Sequence, residues 1–319
     1  MAKNYVVGID IGGQSSKLGV VDEQGKVLAR SVIKASGSSD PKVVIDELAG
    51  AVLALIAEAG KQGEIRGIGV GAPNGNYYTG CIAFAPNLPW AANGEVEFSK
   101  MLSKACGDIP VTLTNDANAA ALGEWKYGIA GEKGIKHFIM ITLGTGVGSG
   151  IVINGEVLYG SDGFAGELGH TCAVRENGRQ CGCGKKGCLE AYCSAIGVAR
   201  TAREWLETTD QPSSLRGKAD ISSKDVYDAA VAGDNLAKLV FEYTGTILGR
   251  SLADFVEFSA PQAIVLFGGL AKAKEFLYEP TLKAMNENLL PIWRNKVQIL
   301  FSKLNEADAA ILGASALAW

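Results

Sequence analysis

Apolar runs that end in glycine turns recur along the chain and predict short buried strands. The segments DIGGQSSKLGVVDEQGKVLA (residues 10–29) and TLGTGVGSGIVINGEVLY (residues 142–159) have the same order of features. Each contains an apolar strand, a glycine turn, a second strand, a tight turn and a third strand with Val-Leu. The tight turn of the second segment is Asn154-Gly155, a pair that readily adopts positive φ. The pattern predicts two antiparallel three-strand units, although short hairpins can also resemble one another by chance.

Regions of helical and strand periodicity follow each of these units. Apolar residues at helical spacing predict helices, and short apolar runs bounded by glycine or polar residues predict strands. The predicted helices span residues 41–60, 189–208, 234–257 and 307–317, and the predicted strands are IRGIGVGA, IPVTLTN, AIVLFGG and VQILFS. Because two similar α/β halves each carry a glycine turn, we expect a cleft between the halves in which both turns face one ligand.

Three glycine turns follow apolar strands and are candidates for phosphate binding. They are Gly12-Gly13, Gly144-Thr145-Gly146 and Gly268-Gly269. Glycine allows close backbone approach, and successive N–H groups form a concave site for an anion. The third turn also precedes a helix predicted to start near Ala271, which suits an anion or a nucleotide ribose. Each turn alone is also compatible with an ordinary hairpin. The chain has neither a Walker A motif nor GxGxxG followed by an acidic residue, which excludes P-loop and Rossmann sites.

Two aspartates stand at the ends of predicted strands. Asp10 directly precedes the first glycine turn, and a carboxylate beside a bound phosphate requires a cation, for which Mg²⁺ is the usual ion. Asp116 follows the strand VTLTN and opens a predicted helix. There it could accept a proton from an alcohol that attacks a phosphate. The alternatives are a solvated strand end for Asp10 and a helix cap made by Asp116 or Asn115.

Four of the seven cysteines lie close together in the sequence with one of the two histidines. The candidate metal ligands, in the spacing H-x10-C-x-C-x4-C, are His170, Cys181, Cys183 and Cys188. This spacing suits tetrahedral Zn²⁺, and four protein ligands leave no open position, so it predicts a structural zinc ion. A redox pair is the rival interpretation, but Cys-x-Cys differs from the redox motif Cys-x-x-Cys. The cysteines that we expect to be ordinary buried residues are Cys81, Cys106 and Cys172.

Composition and charge exclude several classes of protein. The chain has 30 Lys and Arg against 34 Asp and Glu, and no basic run indicates a nucleic-acid or anionic-membrane surface. The N-terminal MAKNYVVGID lacks the apolar stretch of a signal peptide. The longest apolar runs fall short of the roughly 20 residues that span a membrane. An odd number of cysteines fits a reducing compartment. We therefore expect a soluble, cytoplasmic protein that binds neither nucleic acid nor membrane.

Motifs along nearly the whole chain resemble the ROK family of bacterial sugar kinases and repressors. They are DIGG, LTNDANAAALGE, ITLGTGVGSGIVINGEVLYG, GFAGELGH, CGCGKKGCLE and VLFGGLA. The pair ExGH and CxCGxxGCxE is very specific to that family. The resemblance implies an α/β, two-domain actin-like ATPase/hexokinase (ribonuclease H-like) fold with an interdomain cleft and a zinc-bound loop. On that fold we expect a small domain of residues 1–114 plus 305–319 and a large domain of residues 115–304 that contains the zinc loop.

The resemblance also implies roles for residues in these motifs. Asp116 aligns with the catalytic base of the family, and His170 belongs to the zinc site while also reaching the sugar. The residues placed at the sugar are Asn87, Asn115, Asp116, Glu167, His170 and Glu190. The residues on ATP-binding segments are Asp10, Gly12, Gly13, Gly144, Thr145, Gly146, Gly268 and Gly269.

The implied activity is ATP-dependent phosphorylation of the 6-hydroxyl of a hexose, first of all glucose, with ATP, Mg²⁺ and structural Zn²⁺ as cofactors. N-acetylglucosamine, N-acetylmannosamine, mannose and fructose are alternative substrates within the family. A sugar-responsive repressor is the alternative from another class. ROK repressors carry an N-terminal helix-turn-helix region, whereas the first predicted strand here begins near Tyr5, so we expect an enzyme. Family members are often dimers or tetramers, which implies a homo-oligomer.

Two segments depart from the family pattern. After Gly12-Gly13 the family usually has Thr, often followed by Lys, whereas this chain has Gln14-Ser15. Phosphate binding at this turn is therefore less firmly implied than at the others. The segment GAPNG (residues 71–75) has Asn74 where the family's G-x-P-G has glycine. We expect this second change to bear on the shape of the sugar-side loop and on substrate choice.

Overall fold

A computed structural model describes residues 3–319 of the chain. The chain divides into two units of dense internal contact. The first unit contains the chain up to Lys136 together with Gly150–Gly166 and Lys303–Trp319. The second unit contains His137–Ser149 and Glu167–Ser302.

Strands and helices are interspersed over these described residues. The strands are β1 (Tyr5–Ile11), β2 (Ser15–Asp22), β3 (Val27–Lys34), β4 (Ile65–Gly71), β5 (Ile82–Ala83), β6 (Glu95–Val96), β7 (Val111–Thr114), β8 (Phe138–Leu143), β9 (Val147–Ile153), β10 (Glu156–Val157), β11 (Ala263–Phe267) and β12 (Gln298–Phe301). The α-helices are α1 (Pro41–Glu58), α2 (Phe98–Ala105), α3 (Asp116–Tyr127), α4 (Ile129–Glu132), α5 (Glu190–Cys193), α6 (Ala195–Thr208), α7 (Ser223–Val231), α8 (Asn235–Ser259), α9 (Lys274–Asn288) and α10 (Glu306–Ala316). Two 3₁₀ helices cover Leu168–His170 and Gly269–Ala273.

The first five-stranded sheet has the order β3-β2-β1-β4-β7. β1, β2 and β3 form antiparallel pairs, which confirms the first predicted three-strand unit. β1, β4 and β7 are parallel neighbours. Successive residues of a strand point to opposite faces. Accordingly Val7 packs in the core that includes α1 and α2, whereas Val6 packs with Ile311 of α10. Helices therefore cover both faces of this sheet.

The second five-stranded sheet has the order β10-β9-β8-β11-β12. β8, β11 and β12 are parallel neighbours, and an antiparallel hairpin joins β9 to β10. At the hairpin Asn154 has a φ of 54° and Gly155 a φ of 83°, so the predicted Asn-Gly turn is confirmed. The core of the second unit is formed by side chains of β8 and β11 together with α6, α7, α8 and α9.

The predicted helices are present, with two differences. The helix predicted over residues 189–208 is interrupted at Ser194, whose extended backbone ends α5 and whose side chain caps α6 by accepting from the Gly197 N–H. The helix expected near Ala271 begins as a 3₁₀ helix, and α9 starts at Lys274. Over residues 3–319 no helix combines the length and the apolarity needed to cross a membrane.

The division into units differs from the predicted domain boundary at residue 114. α3 and β10 fall in the first unit, whereas the prediction places residues 115–304 in the large domain. The physical reason is that α3 packs against α10 and β10. The approach to α10 is close, because a Cβ on Gly123 would lie 2.7 Å from the Cα of Gly313.

The contact between β4 and α10 yields a test of this packing. A Cβ on Gly69 would lie 1.9 Å from the Ala314 carbonyl oxygen. We predict that Gly69→Ala destabilises the first unit by about 3 kcal/mol, because two backbones must move apart. In the control Gly50→Ala, the new Cβ in α1 meets no atom within 4 Å, so a gain of about 1 kcal/mol is expected. Urea unfolding measures both changes, and effects of the same sign and size would contradict the packing.

Candidate functional site

Segments that follow three parallel strands start side by side at one edge of the first sheet. In register, Asp10 of β1 pairs with Gly71 of β4, and Gly71 pairs with Thr114 of β7. The first glycine turn, residues 72–75 and the Asn115-Asp116 pair follow these three positions. Open α/β sheets bind ligands at the carboxyl ends of their strands, so this edge is the candidate site of the first unit.

Asp10 is half-buried next to a second carboxyl group. Burial, and next the charge of Asp116, raise the pKa of Asp10 from its ordinary value to about 6, against a lowering effect of Lys17. Lys17 is the cross-strand partner of Asp10 in the β1–β2 pair. Asp10 is therefore not a fully solvated strand end. Two neighbouring carboxyl groups form a suitable environment for a divalent cation.

Asn115 and Asp116 form the start of α3. Asn115 is the N-cap, and its Oδ1 accepts from the Ala117 N–H at 2.8 Å, which confirms the helix cap for this residue. Asp116 Oδ1 accepts from the same N–H at 2.8 Å. Desolvation by the surrounding protein raises the pKa of Asp116, although its backbone hydrogen bonds lower it. The side chain is nevertheless accessible to solvent.

The first glycine turn lies against the residue predicted to reach the sugar from the APNLPW segment. Gly12 donates its N–H to the Ser15 carbonyl oxygen at 3.0 Å, which closes the turn between β1 and β2. A Cβ on Gly13 would lie 2.9 Å from the Asn87 carbonyl oxygen, so this approach requires glycine. The nearby cavity of about 70 Å³ is too small for a hexose, since ligand pockets measure about 300–1,000 Å³.

The second glycine turn holds Glu190. Gly144 donates its N–H to the Gly146 carbonyl oxygen at 3.0 Å, and Val147 donates its N–H to Glu190 Oε2 at 3.0 Å. A Cβ on Gly146 would lie 2.4 Å from the same Oε2. Thr145, at the tip of the turn, is exposed. Glu190 is thus fixed against this turn by a hydrogen bond and by the absence of a side chain at residue 146.

Residues 167–170 pack against the carbonyl group of Val147. The exposed Glu167 precedes the 3₁₀ helix that ends at His170. Within this helix, a Cβ on Gly169 would lie 2.0 Å from the Val147 carbonyl oxygen. Val147 therefore binds Glu190 through its N–H and packs with its carbonyl against the segment that carries the other two predicted sugar ligands of this unit.

The third glycine turn meets the second at the end of β8. Gly268 has a φ of 104°, and a Cβ there would lie 2.6 Å from the carbonyl oxygen of Leu143, which precedes Gly144. Gly269 opens the following 3₁₀ helix, and a Cβ on it would meet no atom within 4 Å. The structure therefore brings these two predicted nucleotide turns together in the second unit.

Four side chains converge in the loop before α5. Ligand atoms lie within 4.8 Å of one another in the group His170, Cys181, Cys183 and Cys188. His170 Nδ1 is 3.8 Å from Cys181 Sγ, and the Sγ atoms of Cys183 and Cys188 are 3.6 Å apart. A tetrahedral site with metal–sulfur bonds of about 2.3 Å has ligand–ligand edges of about 3.8 Å. The cluster therefore has the size for one tetrahedral metal ion.

The backbone of this loop holds the thiols in unequal environments. The backbones of Cys172 and Cys188 form an isolated antiparallel β-bridge, and both thiols are free. The Cys181 N–H donates to the Lys185 carbonyl oxygen at 2.9 Å. Desolvation opposes ionisation of Cys183, but hydrogen bonds from the Lys185 N–H and the neighbouring thiols give it a lowered pKa. Desolvation raises the pKa of Cys188 to about 12. A bound cation would displace the thiol protons and remove this difference.

Four of the seven cysteines lie outside the cluster, and the three of them that were predicted to be buried differ from that prediction in one case. Cys81 and Cys106 are buried, as predicted, but the prediction for Cys172 is wrong because this residue is exposed. The reason is its place in the fold. Cys172 lies in a loop, where its backbone forms an isolated β-bridge, and not in a strand or helix that packs on a core.

Arg179 is a buried charge that the sequence analysis missed. Its side chain is 8% exposed and pairs with Glu204 of α6. It also donates to Thr201 Oγ1 at 2.9 Å and to the Ala191 carbonyl oxygen at 3.2 Å. Its guanidinium lies 4.6 Å from the ring centroid of Tyr192. Arg179 thus joins the loop that carries the cysteine cluster to α5 and α6. The sequence signals this role only by an arginine within a glycine-rich segment.

A family model described as the ROK family matches residues 6–319 of the chain. This chain belongs to the ROK family.

Relatives and solved structures match this ROK protein over almost its whole length. The glucokinase of Thermotoga maritima is 35% identical over 326 residues, which cover 99% of this chain and 98% of the glucokinase. A ROK hexokinase from Thermus thermophilus is 31% identical with a TM-score of 0.82, covering 98% of this chain and 97% of the hexokinase. A ROK glucokinase from Streptomyces griseus, solved with glucose and AMPPNP, is 31% identical with a TM-score of 0.77 and 98% coverage of both chains. The predicted family is confirmed, and the α/β fold with mixed sheets is consistent with the actin-like ATPase fold.

The predicted site residues of this ROK protein fall into two sets, one in each unit. The first unit contains Asp10, Gly12, Gly13, Asn87, Asn115 and Asp116. The second unit contains Gly144, Thr145, Gly146, Glu167, His170, Cys181, Cys183, Cys188, Glu190, Gly268 and Gly269. Within the units, the contacts described above join Asn87 to the first turn and Glu190 to the second turn.

The raised pKa of Asp10 predicts a pH-dependent stability. The folded state holds the Asp10 proton more tightly than the unfolded state, so the bound proton increases the free energy of unfolding. This stabilisation is complete below about pH 4 and is lost as the pH rises through about 6. Asp10→Asn should therefore stabilise the first unit by about 2 kcal/mol near pH 8 and by less than about 1 kcal/mol near pH 4. Urea unfolding at both pH values without added Mg²⁺ measures this, and a pH-independent effect would contradict it.

Proposed function

We propose that this ROK protein transfers the γ-phosphoryl group of ATP to the 6-hydroxyl of glucose. The observation that carries the proposal is the carboxylate pair at the edge of the first sheet, where an accessible Asp116 lies in the field of Asp10. Similarity over almost the full length to glucokinases, one of them solved with glucose and AMPPNP, supports the same reaction.

Asp116 is the proposed general base. The O6 oxygen of the sugar attacks the γ-phosphorus, the bond from that phosphorus to the ADP oxygen breaks, and the hydroxyl proton passes to the Asp116 carboxylate. Its raised pKa favours acceptance of this proton. Asn115 commits its side-chain oxygen to the cap of α3, which leaves its amide group to donate to a sugar hydroxyl.

Asp10 and the glycine turns are the proposed nucleotide ligands. Asp10 would hold Mg²⁺, which when bound neutralises phosphate charge. Burial and the neighbouring Asp116 carboxyl group raise the pKa of Asp10, and a cation at this position would offset the repulsion between the two carboxylates. Backbone N–H groups would bind phosphate or ribose oxygens at the turns of residues 12–13, 144–146 and 268–269.

Glu167, His170 and Glu190 are the proposed sugar ligands of the second unit, with Asn87 in the first. Glu190 Oε1 lies 3.6 Å from Cys181 Sγ, so the carboxylate borders the cysteine cluster. We assign Zn²⁺ to that cluster, because three thiols and one imidazole at tetrahedral distances suit this ion. When bound it supplies a structural cross-link, since four protein ligands leave no open position. A site of carboxylates and amides discriminates against sugars that lack the matching hydroxyls.

Sugar-dependent release of ADP tests the proposed activity. The panel consists of glucose, mannose, fructose, N-acetylglucosamine and N-acetylmannosamine, each with and without Mg²⁺. We expect the highest kcat/KM with glucose and turnover only with Mg²⁺. A higher kcat/KM for an N-acetylhexosamine would replace glucose by that alternative, and no sugar-dependent ADP release would contradict the kinase reaction.

Replacement of the base should separate chemistry from binding. Asp116→Asn should lower kcat by at least about 100-fold, because the proton acceptor is lost, while glucose binding by calorimetry is retained. The control is Asp108→Asn, at an exposed aspartate with a φ of 62° that asparagine also adopts. Unchanged turnover in Asp116→Asn would show that another group is the base.

The cysteine cluster should contain about one zinc ion per chain. Cys183→Ser removes one ligand and should lower both the zinc content by elemental analysis and the affinity for glucose. Cys172→Ser is the matched control, because Cys172 lies in the same loop but outside the four-residue cluster. Full zinc content and full glucose affinity in Cys183→Ser would refute the structural zinc.

A further inference from the structure

The turn after β4 places asparagine in a left-handed conformation. Residues 72–75 form a β-turn in which Gly75 donates its N–H to the Ala72 carbonyl oxygen at 3.0 Å. Pro73 occupies the second position of the turn, and Asn74 occupies the third with a φ of 53°. Glycine and asparagine are the residues that best tolerate positive φ at this position. Asn74 therefore forms the turn that glycine would form and adds a side chain to it.

The Asn74 carboxamide holds a later segment of the chain. Its Nδ2 donates to the carbonyl oxygens of Ala83 and Phe84, both at 3.0 Å. Phe84 has a φ of 49°, which is strained for a bulky residue, and it is 65% exposed. Because most of the ring is exposed, its burial contributes little free energy to offset this strain. The bonds from Asn74, together with a 3.0 Å bond from the Phe84 N–H to the Gly94 carbonyl oxygen, hold the conformation.

Phe84 leads directly into the Asn87 loop (residues 85–91). This loop is closed on itself, because Ala85 donates its N–H to the Ala91 carbonyl oxygen at 3.0 Å. Its Asn87 carbonyl packs against the first glycine turn. Ala85, Leu88, Trp90 and Ala91 of the loop are buried in the core of the first unit. The bonds from Asn74 add a second constraint, at the residues through which the chain enters the loop.

The turn at Asn74 is anchored on its other side to β7. Ala72 donates its N–H to the Thr114 carbonyl oxygen at 3.0 Å, and a Cβ on Gly75 would lie 2.5 Å from the same oxygen. Thr114 directly precedes Asn115-Asp116. Within the first unit, the turn therefore contacts the strand that leads into the proposed base and, through Asn74, the entrance to the Asn87 loop.

We propose that Asn74 is a positioning residue that determines sugar specificity by fixing the Asn87 loop relative to Asp116. Its two hydrogen bonds to the backbone of residues 83 and 84 carry this role. The inference rests on the proposed function, because Asn87 is a sugar ligand only in a sugar kinase. A loop held by these bonds suits the hydroxyl pattern of one hexose, whereas a loop released from them adapts to bulkier substituents.

Asn74→Gly removes both hydrogen bonds and keeps a residue suited to positive φ. We expect the KM for glucose to rise about three- to tenfold, with kcat and the KM for ATP changed by less than about twofold. The ratio of kcat/KM for glucose to that for N-acetylglucosamine should fall. Asn74→Asp tolerates the same φ but presents a carboxylate to the two carbonyl oxygens, so it should raise the KM for glucose at least as much.

Phe84→Asn is the matched control. It replaces a strained residue by one that tolerates the left-handed backbone and removes the exposed ring, so the KM for glucose should stay within about twofold of the wild-type value. A rise as large as that of Asn74→Gly would overturn the proposal, because the ring would then be responsible. An unchanged KM for glucose in both Asn74 variants would also overturn it.

Hydrogen–deuterium exchange separates this inference from the proposed function. Without sugar or ATP, the backbone N–H groups of the non-proline residues in 84–91 should exchange faster in Asn74→Gly than in the wild type, while those of α1 exchange equally. Equal exchange in residues 84–91, together with normal glucose turnover, would overturn the role of Asn74 alone. Faster exchange without sugar turnover in any protein would refute the kinase reaction and the specificity role with it.

Discussion

The register of three parallel strands sets the geometry of the candidate site in the first unit. Asp10, Gly71 and Thr114 lie in one row across β1, β4 and β7, so the segments that leave the sheet after this row start side by side. A slip of one residue would turn alternate side chains to the opposite face and separate Asp10 from Asp116. The same register brings the like charges of Asp10 and Asp116 close together. Such unfavourable charge is typical of functional sites, where stability is given up for binding or catalysis.

In the second unit, the backbone of Val147 has a comparable role. Its N–H binds Glu190, and its carbonyl packs against the segment that carries Glu167 and His170. Two further constraints act on the loop that joins these residues. The cysteine cluster has the geometry for a metal ion, and the buried Arg179 side chain pairs with the partly exposed Glu204 of α6. A selective polar site requires ligand-contacting side chains that are held rigidly by the residues around them.

Features that depend on residues close together in the sequence could be predicted from it. The Asn154-Gly155 turn, the strand that ends beside Asp10 and the spacing of the clustered cysteines are local patterns, and the structure contains each of them. The ion pair between Arg179 and Glu204 could not be predicted, because Glu204 is distant in sequence and the burial of Arg179 results from the packing of α6. The helix break at Ser194 had a local signal, a serine able to cap a helix, but continuous helical periodicity outweighed it.

The position of the phosphate on the product tests the central claim most directly. The protein is incubated with ATP, Mg²⁺ and uniformly ¹³C-labelled glucose, and carbon–phosphorus couplings are measured by NMR. The assignment of Asp116 as the base for the 6-hydroxyl predicts coupling of phosphorus to carbon 6 and release of an equal amount of ADP. Phosphate on another hydroxyl, or inorganic phosphate without any sugar phosphate, would contradict it.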